Sequence, residues 1–185
     1  MMSAGPVSRA HGMLGAMNAQ ILAELQQSSF NRAGKATSSS YPPERRMSGE
    51  VLHNFMTARR YIVVATTRAS GLPHIAPSAY LLFGDALWLP TTSGAARLRN
   101  VATTPHVSLA LTEGEEESHA AVLLDGAADV VAASRAPNEL MEMWSERFSS
   151  DGDWISQWIV VHPMRLFSYA APGWRAPSGD QSRRF

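Results

Sequence analysis

The apolar positions along the chain repeat first at helical and then at strand spacing. Met13, Met17, Ile21, Leu22 and Leu25 recur every three or four residues and predict an amphipathic helix over Met13 to Leu25. The stretch from Asn31 to Pro43 turns to Gly, Ser, Thr and a Pro pair, the composition of a linker. Ser48 is placed to cap a second helix, whose stripe is Val51, Leu52, Phe55 and Met56, ending at Arg59 and Arg60. The period then falls to two. Tyr61 to Thr67 is rich in β-branched residues, and His74 to Phe83 follows the Ser70-Gly71 turn, with Pro77 marking an edge or a bulge. Gly84-Asp85 is a hairpin signal that returns the chain as Ala86 to Pro90. A short helix over Ala95 to Ala102 precedes a strand at Val107 to Thr112. An acidic, solvated loop, Glu113 to Ser118, leads to a long strand, Ala120 to Ala132, with a bulge expected at Gly126. A helix from Pro137 to Phe148 and a last strand, Trp158 to Tyr169, complete the pattern, and the Pro- and Gly-bearing tail from Ala170 reads as irregular.

Six strands in mostly antiparallel order, joined by short helices, predict a mainly β protein: a six-stranded antiparallel barrel decorated with helices. The density of pattern divides the chain into an extension and linker at 1–47, a barrel domain at 48–170 and a tail at 171–185. The extension is either a frayed arm or one that docks on a partner subunit.

Composition narrows the function. The 185 residues are 45% hydrophobic, enough for one domain with a real core. Sixteen basic residues balance sixteen acidic ones, which argues against a broad electrostatic grip on nucleic acid or a membrane surface. Lys35 is the only lysine, so any anion site is built mostly from guanidinium forks. With no cysteine there is no disulfide, no thiolate metal site and no Cys nucleophile, which fits a cytoplasmic setting. No apolar run approaches the ~20 residues of a bilayer helix, and His11 to Met17 is too weakly apolar for a signal peptide. The six histidines show no i, i+4 pair, so no metal is expected. Neither a Gly-x-Ser-x-Gly elbow nor a Gly-rich dinucleotide fingerprint occurs.

The candidate chemistry lies at Thr91-Thr92-Ser93-Gly94, where a strand ends in hydroxyls and enters a helix carrying Arg97. Orphan N–H groups at a helix start, short hydroxyl donors and a guanidinium one turn on have the outline of a phosphate cradle. A plain capped helix with a solvated Arg is the alternative. Arg99 points to another face and reads as structural. Trp88, Trp144, Trp154 and Trp158 read as core or dimer-interface residues. Trp174, in the irregular tail, needs either a cofactor or a packing partner.

The order Tyr61-Ile-Val-Val-Ala-Thr-Thr, Gly71-Leu-Pro-His74-Ile-Ala-Pro77, Leu87-Trp-Leu-Pro-Thr91-Thr, Arg97-Leu-Arg-Asn100-Val and Pro105-His-Val-Ser-Leu109 resembles the pyridoxamine 5'-phosphate oxidase-like flavin-binding split-barrel superfamily over roughly residues 48–170. The resemblance implies a homodimeric split barrel with a flavin in the cleft between subunits. It implies that Thr91, Thr92, Ser93 and Arg97 meet the flavin or its phosphate, that Ala76, Pro77 and Ser78 lie along the ring, and that Trp174 is a further candidate contact. The vitamin-oxidising members carry basic residues where this chain has Ala76 and Ala96, and a terminal Arg- and His-bearing segment, whereas this tail has Trp174, Arg175, Arg183 and Arg184 and no His. The implied function is that of the broader bacterial members: an oxidoreductase using FMN, or alternatively the deazaflavin coenzyme F-420, to pass hydride or electrons to a small-molecule acceptor. The alternative is a non-catalytic barrel that binds flavin, haem or a tetrapyrrole. No residue stands out as a general acid or base. A nucleic-acid-binding or regulatory role, with the extension as its arm, is a third reading that the zero net charge disfavours.

Overall fold

Seven strands form one curled antiparallel sheet in the order β2-β1-β5-β6-β7-β4-β3. The computed structural model describes residues 17–176. The strands are β1 (Tyr61–Thr67), β2 (Pro73–Ala79), β3 (Leu81–Phe83), β4 (Ala86–Thr91), β5 (His106–Glu113), β6 (Ala120–Ala132) and β7 (Gln157–Ala170). The helices are α1 (Ala19–Asn31), α2 (Lys35–Ser40), α3 (Gly49–Thr57), α4 (Ala96–Thr103) and α5 (Asn138–Phe148). The curl brings β2 against β4 across the sheet. This is the mainly β, split-barrel architecture expected, with seven strands rather than six.

The extra strand comes from a switch of partner. β2 pairs with β1 up to Tyr61↔Ala79, and after Tyr80 the chain leaves that neighbour and pairs Leu81 with Trp88 of β4. Tyr80 sits at the break, almost fully buried, with its hydroxyl donating to the Met56 carbonyl. The edge position that Pro77 signalled is present, because β2 bonds only to β1. The bulge is present too. The β6–β7 register shifts between Asp125 and Gly126, and a Cβ on Gly126 would stand 2.7 Å from the His162 carbonyl oxygen.

Burial alternates along β1, so Ile62, Val64 and Thr66 face the interior and Tyr61 and Val63 face outward. The interior is filled by Leu87, Leu89, Leu109, Leu111, Val122, Leu124, Ile159 and Val161, and closed by Leu22 of α1 and Leu52, Phe55 and Met56 of α3. A second, smaller core lies under α5, where Leu140 and Trp144 pack on Leu81, Ala86, Trp158 and Val160. Trp144 and Trp158 are core residues as expected; Trp154 is 47% exposed, with its ring edge against Trp144.

Three expectations are corrected. The first helix runs from Ala19 to Asn31 rather than from Met13 to Leu25, because the Asn18 side chain accepts from the Ile21 N–H and caps it there. Met13 lies outside the described residues. The segment read as a linker contains α2 and a short 3-10 turn, Pro43–Arg45. Glu113 is not merely solvated, since it pairs with Arg59 and accepts from the Trp174 indole. Arg183 and Arg184 lie outside the described residues. Among the described residues no helix is long and apolar enough to cross a membrane.

Candidate functional site

The antiparallel register gathers Thr67, Thr91, His106 and Gln157 at one end of the sheet. β4 ends at Thr91, which is fully buried and pairs with Gln157 of β7. The next three residues, Thr92, Ser93 and Gly94, are exposed. Gly94 takes a left-handed conformation (φ 79°), which lets the chain turn sharply into α4. Ala95 N–H donates to the Thr92 carbonyl, and Arg99 Nη1 donates to the Gly94 carbonyl at 2.6 Å, so Arg99 braces the turn from the helix side. Ser93 Oγ donates to Ser156 Oγ, while the Ser156 N–H donates to the Thr91 carbonyl. No side chain caps α4; the Leu98 N–H bonds the Ala95 carbonyl, and the Ala96 and Arg97 N–H groups at the helix start are the ones open to an acceptor.

Arg97 folds back over this turn. Its Nε donates to Thr91 Oγ1 at 3.1 Å. Its Nη1 is buried and has no hydrogen-bond partner. Burial pushes the guanidinium pKa down, yet an arginine stays charged in the neutral range. No carboxylate lies within ion-pair distance of it among the described residues. The strand end, the turn and the helix start therefore hold two cations with no carboxylate partner among the described residues, Arg97 and Arg99, and Arg97 keeps a buried spare donor.

The barrel-facing side of β2 closes the other side of this region. Asn100 of α4 is buried and donates through Nδ2 to Thr66 Oγ1 at 2.8 Å, and Thr66 Oγ1 lies 3.4 Å from His74 Nδ1. This chain ties α4 to β1 and β2. The cleft it floors, about 610 Å³, is lined by Arg68, Ser70, His74, Arg99, Asn100 and Thr103, with no carboxylate. Ala76 and Ser78 share the inward side of β2 with His74, and Ser78 Oγ is buried without a partner. Pro77 points to the outer face, so only its backbone is available to a ligand inside.

The structure thus brings Thr91, Thr92, Ser93 and Arg97 together and sets Ala76 and Ser78 on the strand that faces β4. It does not bring Trp174 to them. Trp174 Nε1 donates to Glu113 Oε2, and its ring meets Phe55 edge-on. Glu113 and Ala170 mark the opposite end of the sheet, roughly 40 Å from Thr91 along the path of β7. Within one chain Trp174 is a packing residue. Asn100 and Ser156 are the site residues that sequence reasoning missed. Asn100 follows Arg97 by three positions, on the same helix face, and that spacing was the available signal.

Residues 49–175 match the family model described as "Pyridoxamine 5'-phosphate oxidase". The chain belongs to this family. Solved structures share the fold. A conserved hypothetical protein from Mycobacterium tuberculosis superposes with a TM-score of 0.61 at 20% identity, over 70% of this chain and 89% of that one. A FAD-binding protein from Mesorhizobium loti gives 0.56 at 17% identity, over 67% and 93%. HutZ, a heme storage protein from Vibrio cholerae, gives 0.54 at 20% identity, over 64% and 92%. No curated protein sequence matches the chain. The shared fold thus occurs both in a protein described as FAD-binding and in one described as a heme storage protein, so the fold alone does not assign a ligand.

Proposed function

We propose that this protein is a homodimeric flavoprotein oxidoreductase that binds FMN at the Thr91–Arg97 turn. The observation that carries the reading is Arg97: a half-buried, unneutralised guanidinium beside an uncapped helix start, with Nη1 lacking any acceptor. A phosphate monoester supplies the missing acceptors and the missing negative charge. Thr92 and Ser93 hydroxyls are exposed beside it, and the unpartnered Ser78 Oγ offers a polar contact from β2. FMN supplies hydride or electron transfer at its ring when bound, and the chain's own residues hold the phosphate, orient the ring against the β2 backbone and leave a cleft for a small-molecule acceptor. Coenzyme F-420 presents a phosphate on the same kind of chain and is the alternative cofactor.

Dimerisation rests on the outer face of β1 and β2. Ile75 is 68% exposed, Tyr61 64% and Leu72 61%, and the Val63↔Pro77 pair joins them into one apolar strip. Such a strip is what an isologous partner would cover. Ile75→Lys should convert a dimer to a monomer in light scattering; an unchanged mass would place the interface elsewhere.

A second reading, a barrel that holds flavin or haem without turnover, draws on one observation: the lining of the cleft beside α4 contains no carboxylate to serve as an acid or base. One experiment separates the readings. The purified protein is titrated with FMN, F-420 and haem, and the loaded protein is then tested for steady-state reduction of a dye or quinone. FMN binding with turnover supports the proposal, binding without turnover supports the second reading, and no quenching of either flavin overturns the first.

A further inference from the structure

A second cavity, which shares no lining residue with the Thr91–Arg97 turn, lies between the end of α3, the start of β3 and the last turns of α5. Its volume is about 390 Å³, within the ~300–1,000 Å³ range of small-molecule sites. Met56, Leu81, Leu82 and Met143 make its walls apolar, and Arg60 and Arg147 enter it as cations. The two methionines are unbranched and adapt to varied shapes.

The arginines are not neutralised. Arg147 donates through Nη2 to the Arg59 carbonyl, but its Nε is buried with no partner. Among the described residues no carboxylate lies within 4.0 Å of Arg60 or Arg147. Arg59 nearby is already committed to Glu113, and its guanidinium lies over the Phe55 ring. Tyr80 adds no negative charge, because burial pushes its phenol pKa well up and keeps it protonated. Arg60 is close enough to lower the Arg147 pKa further, so two like charges converge beside an apolar wall. The buried, unpartnered Nε of Arg147 beside an apolar wall is answered on both counts by an anion with an apolar body. Glu146, also in the lining, is exposed and repels a dianion more than a monoanion.

We propose that this cavity is a second ligand site, built for a small amphipathic monocarboxylate whose head meets Arg147 and Arg60 and whose apolar body lies on Met56, Leu82 and Met143. It is independent of the flavin reading, since it shares no residue with the Thr91–Arg97 turn. The test is calorimetric titration of the full-length protein with octanoate and, separately, with octanol. Octanoate should bind at least roughly tenfold more tightly than octanol, because only the carboxylate forms charge-assisted bonds. Arg147→Met and Arg60→Met should each weaken octanoate roughly tenfold, and Arg97→Met should leave it unchanged. Arg60 is exposed and its side chain makes no hydrogen bond within the described residues, so R60M carries the test if R147M unfolds. Absence of octanoate binding, equal affinity for octanol, or wild-type affinity in folded R60M would each overturn the proposal.

Discussion

Arg97→Met separates the phosphate role from a structural one, because the two predict opposite signs. In the ligand-free protein the substitution removes the Nε bond to Thr91 Oγ1, a loss of about 1 kcal/mol. It also removes a buried donor with no acceptor, a group that costs about 1–3 kcal/mol to keep. The methionine stem retains most of the packing of the arginine methylenes. The net effect on the apoprotein is therefore between neutral and about 2 kcal/mol of stabilisation. At about 2–4 °C per kcal/mol for a chain of this size, the apo Tm should hold or rise slightly. FMN affinity should move the other way. A charge-assisted bond to a phosphate oxygen is worth about 1.5–3 kcal/mol, so Kd should rise roughly 10- to 150-fold. Flavin-fluorescence quenching measures the affinity, and thermal unfolding with and without FMN measures both terms together. Arg97→Lys should recover only part of the affinity, since an ammonium keeps the charge but not the planar fork. A variant that binds FMN as the wild type does, or whose apo Tm falls by more than about 5 °C, would refute the reasoning. The first result would remove Arg97 from the site, and the second would make it a structural brace.

Two further outcomes test the scaffold. Gly126→Ala places a Cβ 2.7 Å from the His162 carbonyl oxygen and from Val161 Cγ1. Because backbone cannot yield there, it should cost about 1–3 kcal/mol, seen as a lower urea midpoint with unchanged slope. Tyr80 should make stability fall in alkali. Burial raises its pKa above the ordinary 10.0, so the folded state keeps a proton that the unfolded state releases. The contribution is complete below about pH 10 and declines above it, at up to about 1.4 kcal/mol per pH unit. Urea unfolding near pH 9 and near pH 11 should show this decline for the wild type and a shallower one for Tyr80→Phe; equal slopes would count against it.

The strands were legible because each follows a rule that is local. The bounds of β1 are legible because Tyr61–Thr67 is rich in β-branched residues and the Ser70-Gly71 turn follows it. The Gly126 bulge, the Pro77 edge and the Ser48 cap were likewise visible, each from one residue with restricted chemistry. The β2–β3 break was not. Ala79 to Phe83 reads as one apolar run, and nothing local reveals that the chain changes partner at Tyr80. The second half of α1 was hidden for a different reason. Gln26 and Ser29 look like surface positions, yet both are buried, because β7 and Met47 supply their hydrogen bonds. The Thr91–Arg97 turn was readable as a cradle, since hydroxyls, a glycine and an arginine fall within seven residues. Its floor was not, because Asn100, Thr66 and His74 meet only through the packing of α4 on β1 and β2.

The buried polar contacts of α1 bear on the order in which the molecule is made. Gln26 receives a bond from Ser168 Oγ at 2.5 Å, and Ser29 Oγ receives one from the Leu166 N–H at 2.8 Å. These partners lie 142 and 137 residues further along the chain. Neither bond can form until β7 has been synthesised, whereas the Gln26 bond to the Met47 carbonyl spans only 21 residues. Closing a loop of that length is slow and late in folding. The seat of α1 on the barrel therefore depends on the last strand of the sheet being in place, because β7 carries the donors that its buried polar groups need.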